Sequence, residues 1–231
     1  MPRPTQAFID LSALAHNLGV VRQYVPCSRI MAVVKADAYG HGLLHTASAL
    51  KDVDGFALLE LDAAISLRDA GYQQPILLLE GFFSTEELAL FEQYRLSAVI
   101  HHSEQIAMLS DSKHHNLDLF LKINTGMNRL GLAPEQFPQI MKALTDHPGI
   151  DSITLMTHFA SADDPLEEEE VFQQLRYFEA ITQNHKYPHS LANSAAIIRY
   201  PVTHADWVRP GIMLYGASPF ADKTASELNL K

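Results

Sequence analysis

Five polar clusters stand where apolar runs end. Lys35 follows MAVV, and Asn124 opens NTGMNR just after LFLKI. Thr157 and His158 follow ITLM, Asn193 and Ser194 follow SLA, and Arg209 sits inside DWVRPG. Lysine is among the residues least often fully buried, so a lysine closing a buried strand needs a reason. Near an arginine, or poorly hydrated, its pKa drops from about 10.4 and some neutral amine becomes available. A neutral amine is a nucleophile, and its product with an aldehyde is a Schiff base. Each residue alone has a plainer reading. Lys35 could snorkel or pair with Asp37, and His158 could be a hydrogen-bonded core histidine. Arg129 could make a loop salt bridge, Arg209 could pair with Asp206, and Gly40 and Gly42 could be turn glycines.

The elements that position these residues alternate short apolar runs with helix-period segments. A leading segment at 7–10 precedes a helix from Ser12 to about Tyr24. Strands are expected at 30–35, 55–59, 75–79, 98–101, 117–123, 153–158, 189–192 and 207–215. Amphipathic stretches lie between most of them, including 86–95, 134–147 and 166–186. Pro138 confines the second to its C-terminal part, and the acidic opening of the third (167–170) suits the positive end of a helix dipole. Eight strands joined by helical crossovers predict an α/β fold, a (β/α)8 TIM-like barrel. The clusters then converge on one face, at the C-terminal ends of the strands, where such barrels keep active sites. Loops after strands seven and eight often hold phosphate. Here they carry Asn193-Ser194-Ala195 and Gly211-Ile212, a hydroxyl and backbone N–H groups with little bulk. A strand-one lysine lies beside that cup in a closed barrel. An aldehyde with a phosphate arm, pyridoxal 5'-phosphate, fits the arrangement.

Composition narrows the partners. The 231 residues suit one sizeable domain, and 47% apolar content supports a core. A net charge of -10 argues against nucleic acid or an anionic membrane surface as partner. A lone Cys27 forbids an intramolecular disulfide and suits a reducing compartment. The opening MPRPTQAFID has no apolar signal core, and no run approaches a membrane span, so the cytoplasm is expected. His41/His45, His101-His102 and His114-His115 are pairs without a third ligand at a convincing spacing, so no metal is expected.

Five motifs carry a family likeness: VVKADAYGHG (33–42), LKINTGMNRLG (121–131), MTHFASAD (156–163), ANSAA (192–196) and DWVRPGIMLYGASP (206–219), with LEGFF (79–83) adding to it. In that order the chain resembles bacterial alanine racemase, of the barrel-containing class of pyridoxal-phosphate enzymes. The resemblance implies that Lys35 forms the internal aldimine and acts as one of two bases. It implies that Tyr39, Ser194, Gly211 and Ile212 hold the cofactor phosphate. His158 matches the residue against the pyridine ring, and Arg209 the arginine facing the pyridine nitrogen. Arg129 matches the arginine at the phenolic oxygen and near substrate. Lys122 matches a lysine often carbamylated to give Arg129 an anionic partner.

Asn124 stands where the family commonly has Asp, which removes a formal charge near Arg129. The second departure is length, since family members carry a β-rich C-terminal domain after the barrel. Residues 1–231 are therefore expected to be the N-terminal barrel, with 1–10 a leading strand and 217–231 the start of a linker to that domain. In the family the second base is a tyrosine of that domain, supplied across a head-to-tail homodimer. The expectation is racemisation of L- and D-alanine, supplying D-alanine for peptidoglycan, by the full-length enzyme, with this piece inactive for lack of the second base. Two rivals are a non-racemising barrel that binds or buffers the cofactor and a racemase of another amino acid.

Overall fold

Every strand of the protein is short, from three to seven residues, and gives way to a loop where polar residues take over. The computed structural model describes residues 6–110 and 116–231. In chain order the elements are α1 (Leu11–Tyr24), β1 (Arg29–Val33), α2 (Lys35–Gly40), α3 (Leu43–Ala49), β2 (Gly55–Leu58) and α4 (Leu61–Asp69). Then come β3 (Ile76–Leu78), α5 (Leu88–Tyr94), β4 (Ser97–Ile100), α6 (Ser103–Ser110) and β5 (Leu117–Lys122). The last are α7 (Phe137–Thr145), β6 (Ile150–Met156), α8 (Glu168–Thr182), β7 (His189–Asn193), α9 (Ser194–Arg199) and β8 (Trp207–Arg209). All strand pairs are parallel, each strand pairs with the next in sequence, and β8 closes on β1, so the expected eight-stranded barrel is present.

Strand periodicity sorts the side chains. Met31, Val33, Ala57, Leu77, Val99, Phe120, Met156 and Trp207 form one buried cluster, the barrel interior. Alternate residues, such as Ile30, Ala32, Phe56, Leu58, Leu119 and Leu121, belong to the larger cluster under the helices. Continuing the inner row by two residues from Val33, Phe120, Met156 and Trp207 reaches Lys35, Lys122, His158 and Arg209. The chemistry is thus the top layer of the barrel interior.

Several element ends differ from the sequence expectation. Strand eight stops at Arg209 because Pro210 has no N–H for the ladder; Ile212–Tyr215 is a 3-10 turn instead. Strand six starts earlier, at Ile150, through exposed Asp151 and Ser152 whose polarity hid it. Pro138 sits in the first turn of α7, where a missing N–H is harmless. Residues 6–10 form no strand within this barrel, while residues 1–5, the rest of the leading strand expected at 1–10, and the His114-His115 pair lie outside the described residues. Asp10 instead caps α1, its Oδ1 accepting from the N–H groups of Ser12 (2.8 Å) and Ala13 (3.3 Å). The stretch expected to begin a linker doubles back on α1. There Asn17 donates to the carbonyls of Leu214 and Lys231 and accepts from the Lys231 N–H, while Leu228 and Leu230 are buried.

Between β1 and α3 the chain winds the opposite way. Ala36, Asp37, Ala38 and Tyr39 have φ of 52°, 51°, 54° and 55°, so α2 is a left-handed turn built without glycine. Each such residue costs about 1–2 kcal/mol, and strain of this kind persists where surrounding contacts over-determine it. Here Asp37 Oδ1 accepts from the Leu43 N–H at 2.7 Å, and the Asp37 carbonyl accepts from the Gly42 N–H at 3.0 Å.

Candidate active site

The left-handed turn begins at Lys35 and ends just past Tyr39, keeping both at the C-terminal mouth of the barrel. A cavity of about 470 Å³ opens there. Lys35, Tyr39, Lys122, Arg129 and His158 line it, and so do Asn193, Ser194, Arg209, Gly211 and Ile212. All ten residues singled out from the sequence therefore face one space. Leu79 and Glu80, from the LEGFF stretch, complete part of its wall; the motif was visible, its place in the cavity was not.

One wall comes from β7, β8 and α2. Asn193 caps α9 by accepting from the Ala196 N–H at 3.0 Å. Ser194 Oγ accepts from the Gly211 N–H at 2.9 Å, which leaves its own proton for an acceptor in the cavity. Ile212 opens a 3-10 turn, whose first N–H groups have no acceptor within the turn. A Cβ on residue 211 would meet Tyr39 Oη at 2.7 Å, so glycine there lets the phenol approach the backbone. Tyr39 in turn packs on Tyr215, ring centroids 4.7 Å apart, and the Tyr215 hydroxyl donates to the Val33 carbonyl at 2.9 Å. Burial raises the pKa of both phenols.

The floor is Arg209, 4% exposed. Its guanidinium donates to Ser190 Oγ, to the Thr157 carbonyl (2.7 Å) and to the Leu191 carbonyl (3.2 Å). Burial lowers its pKa to about 9, which still leaves it cationic at neutral pH. It also lies 3.3 Å from His158 Nδ1. Because a guanidinium only donates, that nitrogen is the acceptor and the imidazole proton belongs on Nε2. Burial first, then Arg209 and the neighbouring cations, hold His158 well below its ordinary pKa. Histidine NMR is therefore expected to show His158 neutral, as the Nε2–H tautomer, at pH 6.5 and somewhat below. The folded state resists this proton, so stability falls as pH drops through about 6.5.

Lys122 and Arg129 form the remaining cationic wall. Lys122 is 5% exposed, and burial, followed by Arg209, Arg129 and Lys35, lowers its pKa to about 8. Four basic side chains thus line the cavity against the single carboxylate of Glu80. Asn124 does not face this charge directly. Its Oδ1 accepts from the N–H groups of Gly126 (3.2 Å) and Asn128 (3.0 Å), and its Nδ2 donates to Asn128 Oδ1, so it shapes the loop that carries Arg129. Of the histidine pairs, His41 Nδ1 bonds the carbonyls of Ala38 and Tyr39, and His101 Nε2 bonds the Glu80 carbonyl. No group of three or more metal-ligating side chains occurs among the described residues.

A closed parallel barrel with a cationic mouth, a lysine at its first strand end and hydroxyls on the adjoining lip is a (β/α)8 protein whose cavity suits an anionic small molecule. The family model described as "Alanine racemase, N-terminal domain" matches residues 9–219, and the chain belongs to that family. It is 58% identical to an alanine racemase of Nitrosospira multiformis over all of its length, spanning 65% of that relative. It is 49% identical to a catabolic alanine racemase of Klebsiella aerogenes, covering 95% of this chain and 61% of the relative. Among solved structures, it matches the biosynthetic alanine racemase of Pseudomonas aeruginosa at 43% identity and a TM-score of 0.90, over 96% of this chain and 63% of that one. The chain thus spans about two thirds of the length of the curated relatives it matches.

Proposed function

We propose that this chain is the pyridoxal 5'-phosphate-binding barrel of an alanine racemase, with Lys35 as the cofactor lysine. The observation that carries the reading is the single cavity shared by Lys35, the Tyr39–Ser194–Gly211–Ile212 lip and Arg209. Its volume lies in the range of small-molecule sites, and its excess of cations calls for an anion. The donor set fits the cofactor: hydroxyls and an amide for the phosphate, and a lysine amine for the aldehyde carbon. An arginine fits the ring nitrogen, and His158 offers a neutral ring beside it. Arg129 would meet the phenolic oxygen and the substrate carboxylate. Lys122, crowded by cations, is suited to losing its proton and accepting carbon dioxide as a carbamate. Asn193 would hold the loop that presents Ser194.

Bound there, the cofactor supplies an electron-withdrawing ring that acidifies the Cα–H of an attached amino acid. Arg209 can only donate, so facing the ring nitrogen it would favour the unprotonated form and temper that pull. Lys35 Nζ would serve as the base for the Cα proton on one face, the D-alanine side. Racemisation needs a second group to deliver a proton to the opposite face. Tyr215 is bonded to the Val33 carbonyl and Tyr39 is held at Gly211, so neither is placed for it. We therefore assign the second base to a region outside these 231 residues, in a homodimeric enzyme acting on L- and D-alanine. Supply of D-alanine to the cell wall from the cytoplasm belongs to the same proposal. No helix among the described residues is long and apolar enough to cross a membrane. The family match weighs against the non-racemising rival.

The test is to add pyridoxal 5'-phosphate to the purified chain, reduce with borohydride and map the labelled peptide. Label on Lys35, with little or no racemisation of alanine, is expected. Label scattered over surface lysines, or rapid racemisation by this chain alone, would refute the assignment. Gly211→Ala is expected to displace the Tyr39 hydroxyl and weaken cofactor binding about tenfold, read as the midpoint of the same titration.

A further inference from the structure

Arg129 and His158 sit on different loops, after β5 and after β6, yet must hold fixed places about one ligand. A buried polar side chain from an outer helix bonds to both loops. Gln174, on α8, is 5% exposed and lies in a stretch whose period marks it simply as amphipathic. Its Nε2 donates to Thr125 Oγ1 at 3.3 Å and to the His158 carbonyl at 3.2 Å, and its Oε1 accepts from the Ala160 N–H at 3.0 Å. The orientation of the amide is forced, because reversing it would set NH₂ against the Ala160 N–H.

The same donor order runs onward. Thr125 Oγ1, accepting from Gln174, donates to Thr157 Oγ1 at 2.8 Å, and Thr157 Oγ1 donates to the Ile123 carbonyl at 3.0 Å. The Thr157 carbonyl receives Arg209. One directed chain of hydrogen bonds therefore runs from α8 through Thr125 and Thr157 to the Ile123 carbonyl, joining the β5 and β6 loops; Arg209 meets the same Thr157 separately, at its backbone carbonyl. Gly126 permits the approach, since a Cβ there would meet Gln174 Cγ at 3.3 Å.

We propose that Gln174 is a positioning residue that locks the Arg129 loop to the His158 loop and so sets the cofactor-facing wall of the barrel. It touches neither ligand nor cavity; it acts through Thr125 and the His158 backbone. The proposal rests on the pyridoxal-phosphate reading above.

The test compares Gln174→Met, which keeps length but not hydrogen bonds, with Thr182→Val. The latter is equally buried on α8 and loses only its bond to the Phe178 carbonyl. In the cofactor-free chain, amide hydrogen exchange at 126–129 is expected to speed up about tenfold in Gln174→Met and not in Thr182→Val. Gly126 packs on Gln174 itself, whereas residues 127–129 are not among its hydrogen-bond partners, so faster exchange at 127–129 is the part that reports transmission through Thr125. The pyridoxal 5'-phosphate dissociation constant is expected to rise about tenfold, the scale of one lost buried hydrogen bond. Unchanged exchange at 126–129, or a cofactor affinity no weaker than that of Thr182→Val, would overturn the positioning role. Absence of Lys35 label in the unsubstituted chain would instead overturn the cofactor reading and this proposal with it.

Discussion

Replacing Lys35 with alanine is expected to abolish the borohydride-fixed label at that position and leave the barrel folded. Lys35 is half-buried at a strand end and closes no hydrogen-bond network, so its loss opens no core cavity. A racemase carrying the same change is expected to lose about 10³-fold or more in turnover, the usual scale for a missing proton-transfer group. Lys35→Arg separates charge from nucleophilicity. The guanidinium preserves the cationic mouth and can still attract a phosphate, but it offers no amine to an aldehyde. Affinity should therefore fall less than labelling, which should vanish in both variants. Undiminished label at another cavity lysine, Lys122, would show that the cofactor lysine has been misassigned.

Lys122→Met is expected to stabilise the ligand-free chain. In the folded state the pKa of Lys122 is lowered from 10.5 to about 8 by burial and by three neighbouring cations. A lowered lysine pKa means the folded state resists the proton that the unfolded chain keeps. The penalty is complete below about pH 8, is relieved as pH rises from about 8 to 10.5, and then vanishes. The difference corresponds to about 3 kcal/mol at pH 7. Urea titrations in bicarbonate-free buffer should show Lys122→Met more stable than the parent at pH 7, with the gap closing by about pH 10. A parent already as stable at pH 7 as at pH 10, or a destabilised variant, would contradict this. Bicarbonate should narrow the gap, because Lys122 can release a proton to solvent and its free amine can add to the carbon dioxide in equilibrium with bicarbonate, losing a second proton to give an anionic carbamate beside Arg129.

The cationic mouth also explains why polar residues tolerate a barrel interior. Arg209 is satisfied by Ser190 Oγ and two carbonyls, so its burial leaves donors paired although no carboxylate balances it. Among the described residues, Lys122 has no such set of acceptors. One arginine is thus built into the scaffold, while the lysine next to it waits for a ligand.

Much of this was determined by local sequence. Apolar runs such as ILL at 76–78 and SAVI at 97–100 are short enough to suit buried strands, and their regular alternation with helices favours a parallel barrel. Polar residues at the ends of those runs converge on one face of such a barrel, so Lys35, His158 and Arg209 could be brought together from the sequence; Lys122 was singled out only by the family resemblance, and that it shares their inner layer came from the fold. Tertiary structure decided the rest. Four consecutive left-handed residues at 36–39 have no sequence signature, because none is glycine and each pays for its conformation through contacts made elsewhere. Strand six begins in Asp151 and Ser152, whose polarity mimics a loop until β5 supplies the ladder. Gln174 meets Thr125 across 49 residues, and its role exists only once α8 has docked. The depressed pKa of Lys122 likewise arises from its burial, and then from Arg209, Arg129 and Lys35, all brought about by barrel closure. Period and residue type act over a few neighbours and are written in the chain; hydrogen bonds and charge coupling between distant segments appear only when the fold closes.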